Sequence, residues 1–302
     1  MKHWTMTLLT ALLALPAHAA VTVRDDDGNA VTLAKPAQRI LALAPHITEL
    51  LFAAGGGEKI VGVVSYSDYP EAAKKIANVG DNRQYDMERI IAMKPDLIVV
   101  WMHGSAERQI AMLRQLKVPI YHSDPKKLAD IPNNMERLGQ LMGTEKVAAP
   151  AAAQLRAKLA SLTAQYAQRP QVRLFYQVWD KPLYTISGAS IISDSMRVCG
   201  GQNVFGAMKV VAPVVTAEGV LQENPEAIFA TSEKSDADSE GGLAMWRAFP
   251  SLAAVRNNNL FRLDGDLLNR AGPRMFDGTA AMCGKLELAR QHRTAPAVKA
   301  AK

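Results

Sequence analysis

The chain has 302 residues, is 48% hydrophobic and 21% charged, and carries a formal net charge of +6. That length is too great for one ordinary hydrophobic core and suits two lobes. Its 35 Lys and Arg residues are scattered, with no basic stripe and no aromatic platform among them, so the charge reads as solvated surface and excludes a nucleic-acid face.

Residues 1–19 have the three zones of a secretory signal peptide cut after Ala19. Met1-Lys2-His3 is basic, Met6 to Leu15 is apolar, and Pro16 with Ala17-His18-Ala19 supplies the breaker and small residues that a signal peptidase reads. A spanning helix needs roughly 20 apolar residues, and this run is shorter. Cleavage leaves 283 residues expected to be free in an extracytoplasmic space, without a lipid anchor, because no Cys stands at the cut. The only cysteines, Cys199 and Cys283, read in that compartment as one disulfide closing a loop of 84 residues, worth roughly 4 kcal/mol. Two buried free thiols are the alternative.

The N-terminal half alternates short apolar runs with helical stretches. Arg39 to Ala44 is expected as a buried strand and Thr48 to Ala54 as a helix stopped by Gly55-Gly56-Gly57. Ile60 to Val64 is a second strand. Asp86 caps a helix through Met93, ended by Pro95, and Asp96 to Trp101 follows as a strand. Ser105 to Leu116 is amphipathic, and Val118 to Tyr121 is a fourth strand. This alternation predicts an α/β fold with a mostly parallel, helix-covered sheet. Ile131 to Met142 and Glu145 to Gln168 are helical, the second long enough to span roughly 30 Å. Arg169-Pro170 ends it, and Val172 to Val178 opens a new strand. The expected organisation is an N-terminal α/β lobe at 20–144, a linking backbone helix at 145–169, a C-terminal α/β lobe at 170–290 and a disordered tail at 291–302.

An internal repeat supports two similar lobes. Glu88 to Ile98 has a counterpart in Glu218 to Ile228. In each, a Glu precedes a helix-ending Pro by seven positions, an acidic residue follows, and an apolar strand begins.

In open parallel sheets ligands sit beyond the carboxyl ends of the strands, so two facing lobes would line a cleft with the residues that follow each strand. These are Pro45-His46, Ser65-Tyr66-Ser67, Trp101-Met102-His103, Tyr121-His122, Trp179-Asp180 and Asp266 to Arg274. The set is rich in aromatics and suits a large, flat, partly apolar ligand.

On these segments the chain resembles the metal-chelate class of periplasmic substrate-binding proteins of ABC importers. Ala44-Pro45-His46-Ile47-Thr48-Glu49-Leu50 with Phe52-Ala53-Ala54-Gly55 looks like that class's first βα unit. Several segments are similar to its cobalamin-binding branch: Val63 to Pro70, Met87-Glu88-Arg89-Ile90, Lys94 to Leu97, Ala106 to Gln109, Val198 to Asn203 and Arg270 to Arg274. The resemblance covers Arg39 to Leu288. It implies two α/β lobes joined by one long rigid helix, and a cleft that holds a corrinoid, haem or iron–siderophore as cargo, with no resident cofactor. The partners it implies are an inner-membrane ABC permease and its ATPase, served by a monomer in the periplasm. Residue by residue, it implies that Tyr66 packs on the corrin and that Trp101 walls the cleft. Asp266 and Arg270 would end a loop touching the ligand's amide side chains, and Glu88 and Glu218 would dock on transporter arginines. Cys199 and Cys283 match the family's disulfide. The chain departs from the pattern at Asn82 and Ala212, where the cobalamin binders carry Trp, and at Leu267-Leu268-Asn269, where loop aromatics are gone.

Each of these readings has a plainer rival. Tyr66 and Trp101 could be core packing, and Trp179, without an exact aromatic match in the family, is cleft wall or core on equal terms. His46, His103 and His122 offer three imidazoles for a metal, yet the commoner role of such residues is polar cleft lining or surface. Glu88 and Glu218 are too far apart, on different lobes, for a catalytic acid/base pair. Gly55-Gly56-Gly57-Glu58-Lys59 lacks the phosphate-loop spacing, and no GxSxG elbow is present. A haem or iron–siderophore binder of the same class is therefore the runner-up, a secreted metal-dependent enzyme a distant alternative, and a structural or adhesive exported protein a third.

Overall fold

The structure, a computed structural model, describes residues 20–232 and 242–294. The expected signal peptide lies outside them. A hairpin of β1 (Val21–Arg24) and β2 (Ala30–Leu33) precedes the first lobe. That lobe runs β3 (Ile40–Leu43), α1 (Pro45–Ala53), β4 (Ile60–Val63), α2 (Met87–Ala92), β5 (Leu97–Val100), α3 (Glu107–Gln115), β6 (Ile120–His122) and α4 (Asp130–Met142). The four strands are parallel, in the order β4-β3-β5-β6. The central β3 and β5 are buried at every position. This is why they read as unbroken ILAL and LIVV rather than as alternating patterns.

Gly143, at φ +66, closes α4 in the left-handed conformation that a side chain would resist. It is followed by α5 (Glu145–Tyr166), 22 residues or about 33 Å long. The second lobe runs β7 (Val172–Gln177), the short hairpin β8 (Trp179–Asp180) and β9 (Leu183–Tyr184), α6 (Ile191–Val198) and β10 (Gly201–Asn203). It continues with α7 (Ala217–Glu223), β11 (Ala227–Ser232), α8 (Ala253–Arg256), β12 (Leu260–Asp264), α9 (Gly265–Leu268) and α10 (Met275–Thr294). Its parallel sheet is ordered β10-β7-β11-β12. Numbered within each lobe, both sheets have the order 2-1-3-4.

The sequence repeat falls on equivalent elements, α2–β5 and α7–β11. The acidic residue after each Pro has the same task. Asp96 donates its N–H to Arg39 O at 2.9 Å and accepts the N–H groups of Gln38 and Arg39 on its carboxylate. Glu226 donates to Arg173 O at 2.8 Å and accepts Arg173 N–H at 3.2 Å. Each one fastens the start of the third strand to the start of the first.

One apolar cluster runs from Ile47 and Leu50 of α1 through Ala148, Ala152 and Leu162 of α5 to Leu286 of α10, so the lobes share a core along the long helix. Cys199, at the end of α6, is disulfide-bonded to Cys283 of α10. The tail expected from residue 291 is helical as far as Thr294. Arg290 donates to Cys199 O at 2.7 Å, and Arg293 grips Glu226, which together fasten the last turns of α10. The rest of the expected tail lies outside the described residues. No described helix is long and apolar enough to cross a membrane.

Candidate functional site

In each sheet the chain order reverses between the first and third strands, and the carboxyl ends of those strands open a crevice. In the first lobe they deliver Pro45 and Trp101. Pro45 occupies the first helical position of α1, where its missing N–H costs no hydrogen bond. His46 therefore stands in the first turn of α1, which begins before the helix start at Thr48 expected from the sequence.

Three neighbouring cavities, all lined in part by Trp101, open here. One of about 470 Å³ lies within the first lobe between Tyr66, Asn82 and Trp101. A second, of about 480 Å³, lies between the lobes, with His46, Trp101, His103 and Asp124 on one side and Ile191, Val211 and Leu268 on the other. A third, of about 240 Å³, is bounded by His46, Tyr66 and Trp101 facing Asp266, Asn269 and Arg270. Tyr66 is 73% exposed at φ +66. A left-handed backbone is unusual for a bulky residue, and here it accompanies a ring that stands out in the crevice rather than in a core.

Trp101 is held rather than loose. Its indole Nε1 donates to Asp124 Oδ1 at 3.1 Å, and His46 packs edge-on against it with ring centroids 5.8 Å apart. The other carboxylate oxygen of Asp124 takes His103 Nδ1 at 2.5 Å and Lys126 Nζ. Burial alone would raise the Asp124 carboxyl, but its bonds to Lys126 and His103 outweigh that and hold it below the usual range. His46 is pushed down to about 4, chiefly by burial, against a hydrogen bond with the Ser123 backbone that raises it. It is thus neutral near pH 7.

Below the crevice, ion pairs join the lobes. Arg270 contacts Asp68 at 2.5 Å and Glu49 at 3.6 Å across the divide, and Asp266 at 3.1 Å on its own side. Arg274 grips the buried Glu49 with two hydrogen bonds, at 2.6 and 3.0 Å, and its guanidinium lies 4.0 Å above the Tyr69 ring.

The periplasmic binding protein family matches residues 40–267. This chain belongs to the periplasmic binding protein family. It is 40% identical over 257 residues to the vitamin B12-binding protein of Vibrio cholerae, covering 85% of this chain and 91% of that one. The crystal structure of the periplasmic vitamin B12 binding protein of Vibrio cholerae superposes with a TM-score of 0.79, at 40% identity, over 85% of this chain and 99% of that one. A periplasmic haem-binding protein of Roseiflexus reaches a TM-score of 0.71 at 23% identity, over 83% of this chain and 99% of that one, a likeness of fold.

In this binding protein the expected cleft residues Tyr66, Trp101, His46, His103, Asp266 and Arg270 come together. Trp179 does not line the cavities above. It stands 62% exposed on β8 with its indole N–H on Lys181 O at 3.1 Å. His122 is not a residue after a strand but the last residue of β6, fully buried. The expected trio of imidazoles is therefore regrouped, since among the described residues the compact set of metal-ligating side chains is His103, His122 and Asp124. Glu88 and Glu218 lie outside the cleft. Both are exposed, each the second residue of its helix, in α2 and α7. Asp124, Glu49, Asp68 and Lys126 escaped the sequence reading. Asp124 was within reach of it, because it follows β6 by two residues.

Proposed function

We propose that this binding protein captures cobalamin or a closely related corrinoid between its lobes in the periplasm and hands it to an ABC permease, without catalysing a reaction. The observation that carries the reading is its 40% identity, over most of both chains, with a vitamin B12-binding protein. The cleft chemistry supports it. Tyr66 and Trp101 offer ring faces to a flat macrocycle, and the Asp266–Arg270 segment offers polar groups to its amide-bearing rim. Residues 20–144 and 170–290 act as the two jaws, and 145–169 joins them. The ion pairs beneath the crevice and the core shared along α5 favour a small closing motion.

Haem is the second reading, favoured by the fold shared with haem binders and by four positions at or beside the cleft that lack the expected rings. Asn82 lines the first-lobe cavity, where its amide donates to Gly104 O at 3.0 Å. Ala212 adjoins the cleft-lining Val211. In α9 the loop aromatics are replaced by Leu267 and Leu268. Titration of the mature protein with cyanocobalamin, cobinamide and haemin separates the two. The expected result is saturation at one cyanocobalamin per chain, with haemin binding more weakly. Haemin binding without corrinoid binding would replace cobalamin by haem, and no binding of any of the three would overturn the cleft assignment.

A further inference from the structure

Three ligating side chains meet at the outer edge of the first sheet. His103 lies in the turn after β5, His122 ends β6, and Asp124 follows two residues later. One donor atom of each lies within 4.8 Å of the others. The two rings meet edge-on with centroids 5.1 Å apart. Asp124 Oδ2 lies 2.5 Å from His103 Nδ1 and 4.0 Å from His122 Nε2.

The second observation is the state of His122. Its side chain is fully buried, and neither ring nitrogen makes a hydrogen bond. Buried polar groups without partners are costly and rare, so a ring kept in this condition calls for an explanation. Asp27 Oδ2 lies 2.7 Å from Nδ1, off the direction of a good hydrogen bond. Nε2 is left without a partner, 4.0 Å from Asp124 Oδ2, where an incoming metal ion would satisfy it.

We infer that His103, His122 and Asp124 form a site for a divalent first-row transition metal of the zinc or cobalt(II) type. Two imidazoles and a single carboxylate suit those ions, whereas calcium and magnesium need a mostly oxygen shell. Three protein ligands leave a coordination position for a ligand atom or water. His103 is largely exposed, and with Asp124 it lines the inter-lobe cavity, so that position opens toward the cleft. Asp124 is also tied to Trp101 through its other oxygen, so the metal would fix a cleft wall as it binds. Lys126 bonds the oxygen that the metal needs. Its ammonium competes with the cation for that oxygen and repels it. None of this depends on which cargo fills the cleft.

Calorimetric titration of tag-free, EDTA-treated mature protein with zinc chloride tests the site, and visible absorption with cobalt(II) reports the coordination geometry. Circular dichroism of each variant confirms that it is folded. The expected result is one saturable zinc per chain. H103A and D124N should each weaken it by more than tenfold, since loss even of an outer-shell partner costs roughly 10–100-fold. K126M should tighten it, a direction that a merely structural role for Asp124 would not produce. Absence of saturable binding overturns the site. Equal affinity in wild type, H103A and D124N also overturns it, leaving zinc on groups elsewhere in the chain.

Discussion

At the residue scale, the crevice is lined by two aromatics whose positions have different causes. Tyr66 projects from a left-handed backbone, and Trp101 is steered by Asp124 and His46. If both stack on a macrocycle, truncating either to Ala removes a buried anchor worth roughly 1–3 kcal/mol, a loss of about tenfold or more in corrinoid affinity. Fluorescence or calorimetric titration of Y66A and W101A checks this, and a folded double variant with wild-type affinity would remove both from the site. His46 gives a pH prediction. Its pKa of about 4 lies below the ordinary value near 6.5, so between these pH values the unfolded chain binds the proton that the folded chain refuses. Stability attributable to His46 is therefore full above about pH 6.5, falls as the pH drops and levels off near pH 4, with a total loss on the order of 3 kcal/mol. In EDTA-treated protein, H46N should flatten the slope of stability between pH 6.5 and 4, while an unchanged slope would assign it to other groups. Tyr66 and Trp101 were legible in the sequence because each follows a strand. Asp124, two residues after β6, was within reach in the same way, whereas Glu49 and Asp68 were not, because their partners lie far along the chain: Arg274 and Glu49 are separated by 225 positions and Arg270 and Asp68 by 202.

At the element scale, legibility followed burial. The strands β3 and β5 declare themselves because every side chain is apolar, and α2 because Asp86 caps it by accepting Arg89 N–H. The hairpin β8–β9 was invisible, since two-residue strands carry no period. The turn at Met102–Gly104 was equally silent, yet it sets the cleft wall. A Cβ on Gly104 would fall 2.0 Å from Trp101 Cε3, inside any tolerable contact, so that glycine is the space into which the indole folds. G104A should therefore displace Trp101 and weaken corrinoid binding to nearly the extent of W101A. In the W101A background the same change should cost little more, because the clash has lost its partner. A double-mutant cycle on ligand affinity measures the coupling, and strictly additive losses would mean that the turn acts independently of the indole.

At the scale of the whole molecule, two lobes with one strand order were foreshadowed by a single eleven-residue repeat, and the structure explains why that repeat survives in the sequence. Capped helix, Pro, acidic residue and third strand form one device used twice, with Asp96 and Glu226 bonded alike. The ion pairs that join the lobes were not foreshadowed, since no local pattern encodes them. The same equivalence carries the docking prediction. Glu88 and Glu218 occupy the second position of α2 and α7, helices at the same place in each lobe, capped by Asp86 and Thr216. Both are exposed, and neither forms an ion pair among the described residues. Two carboxylates so placed can each accept a bidentate hydrogen bond from a permease arginine, one per lobe, and so hold the cleft over the transport pathway. An exposed pair of this kind contributes under about 1 kcal/mol. The effect would therefore show in register and in a salt-sensitive association rate rather than in great affinity. Replacing both with Ala should leave corrinoid binding by the isolated protein intact, while uptake into vesicles carrying the permease falls, and replacing both with Arg should lower uptake further by repulsion. Normal uptake by the double-Arg variant would show that the glutamates are only solvated helix surface.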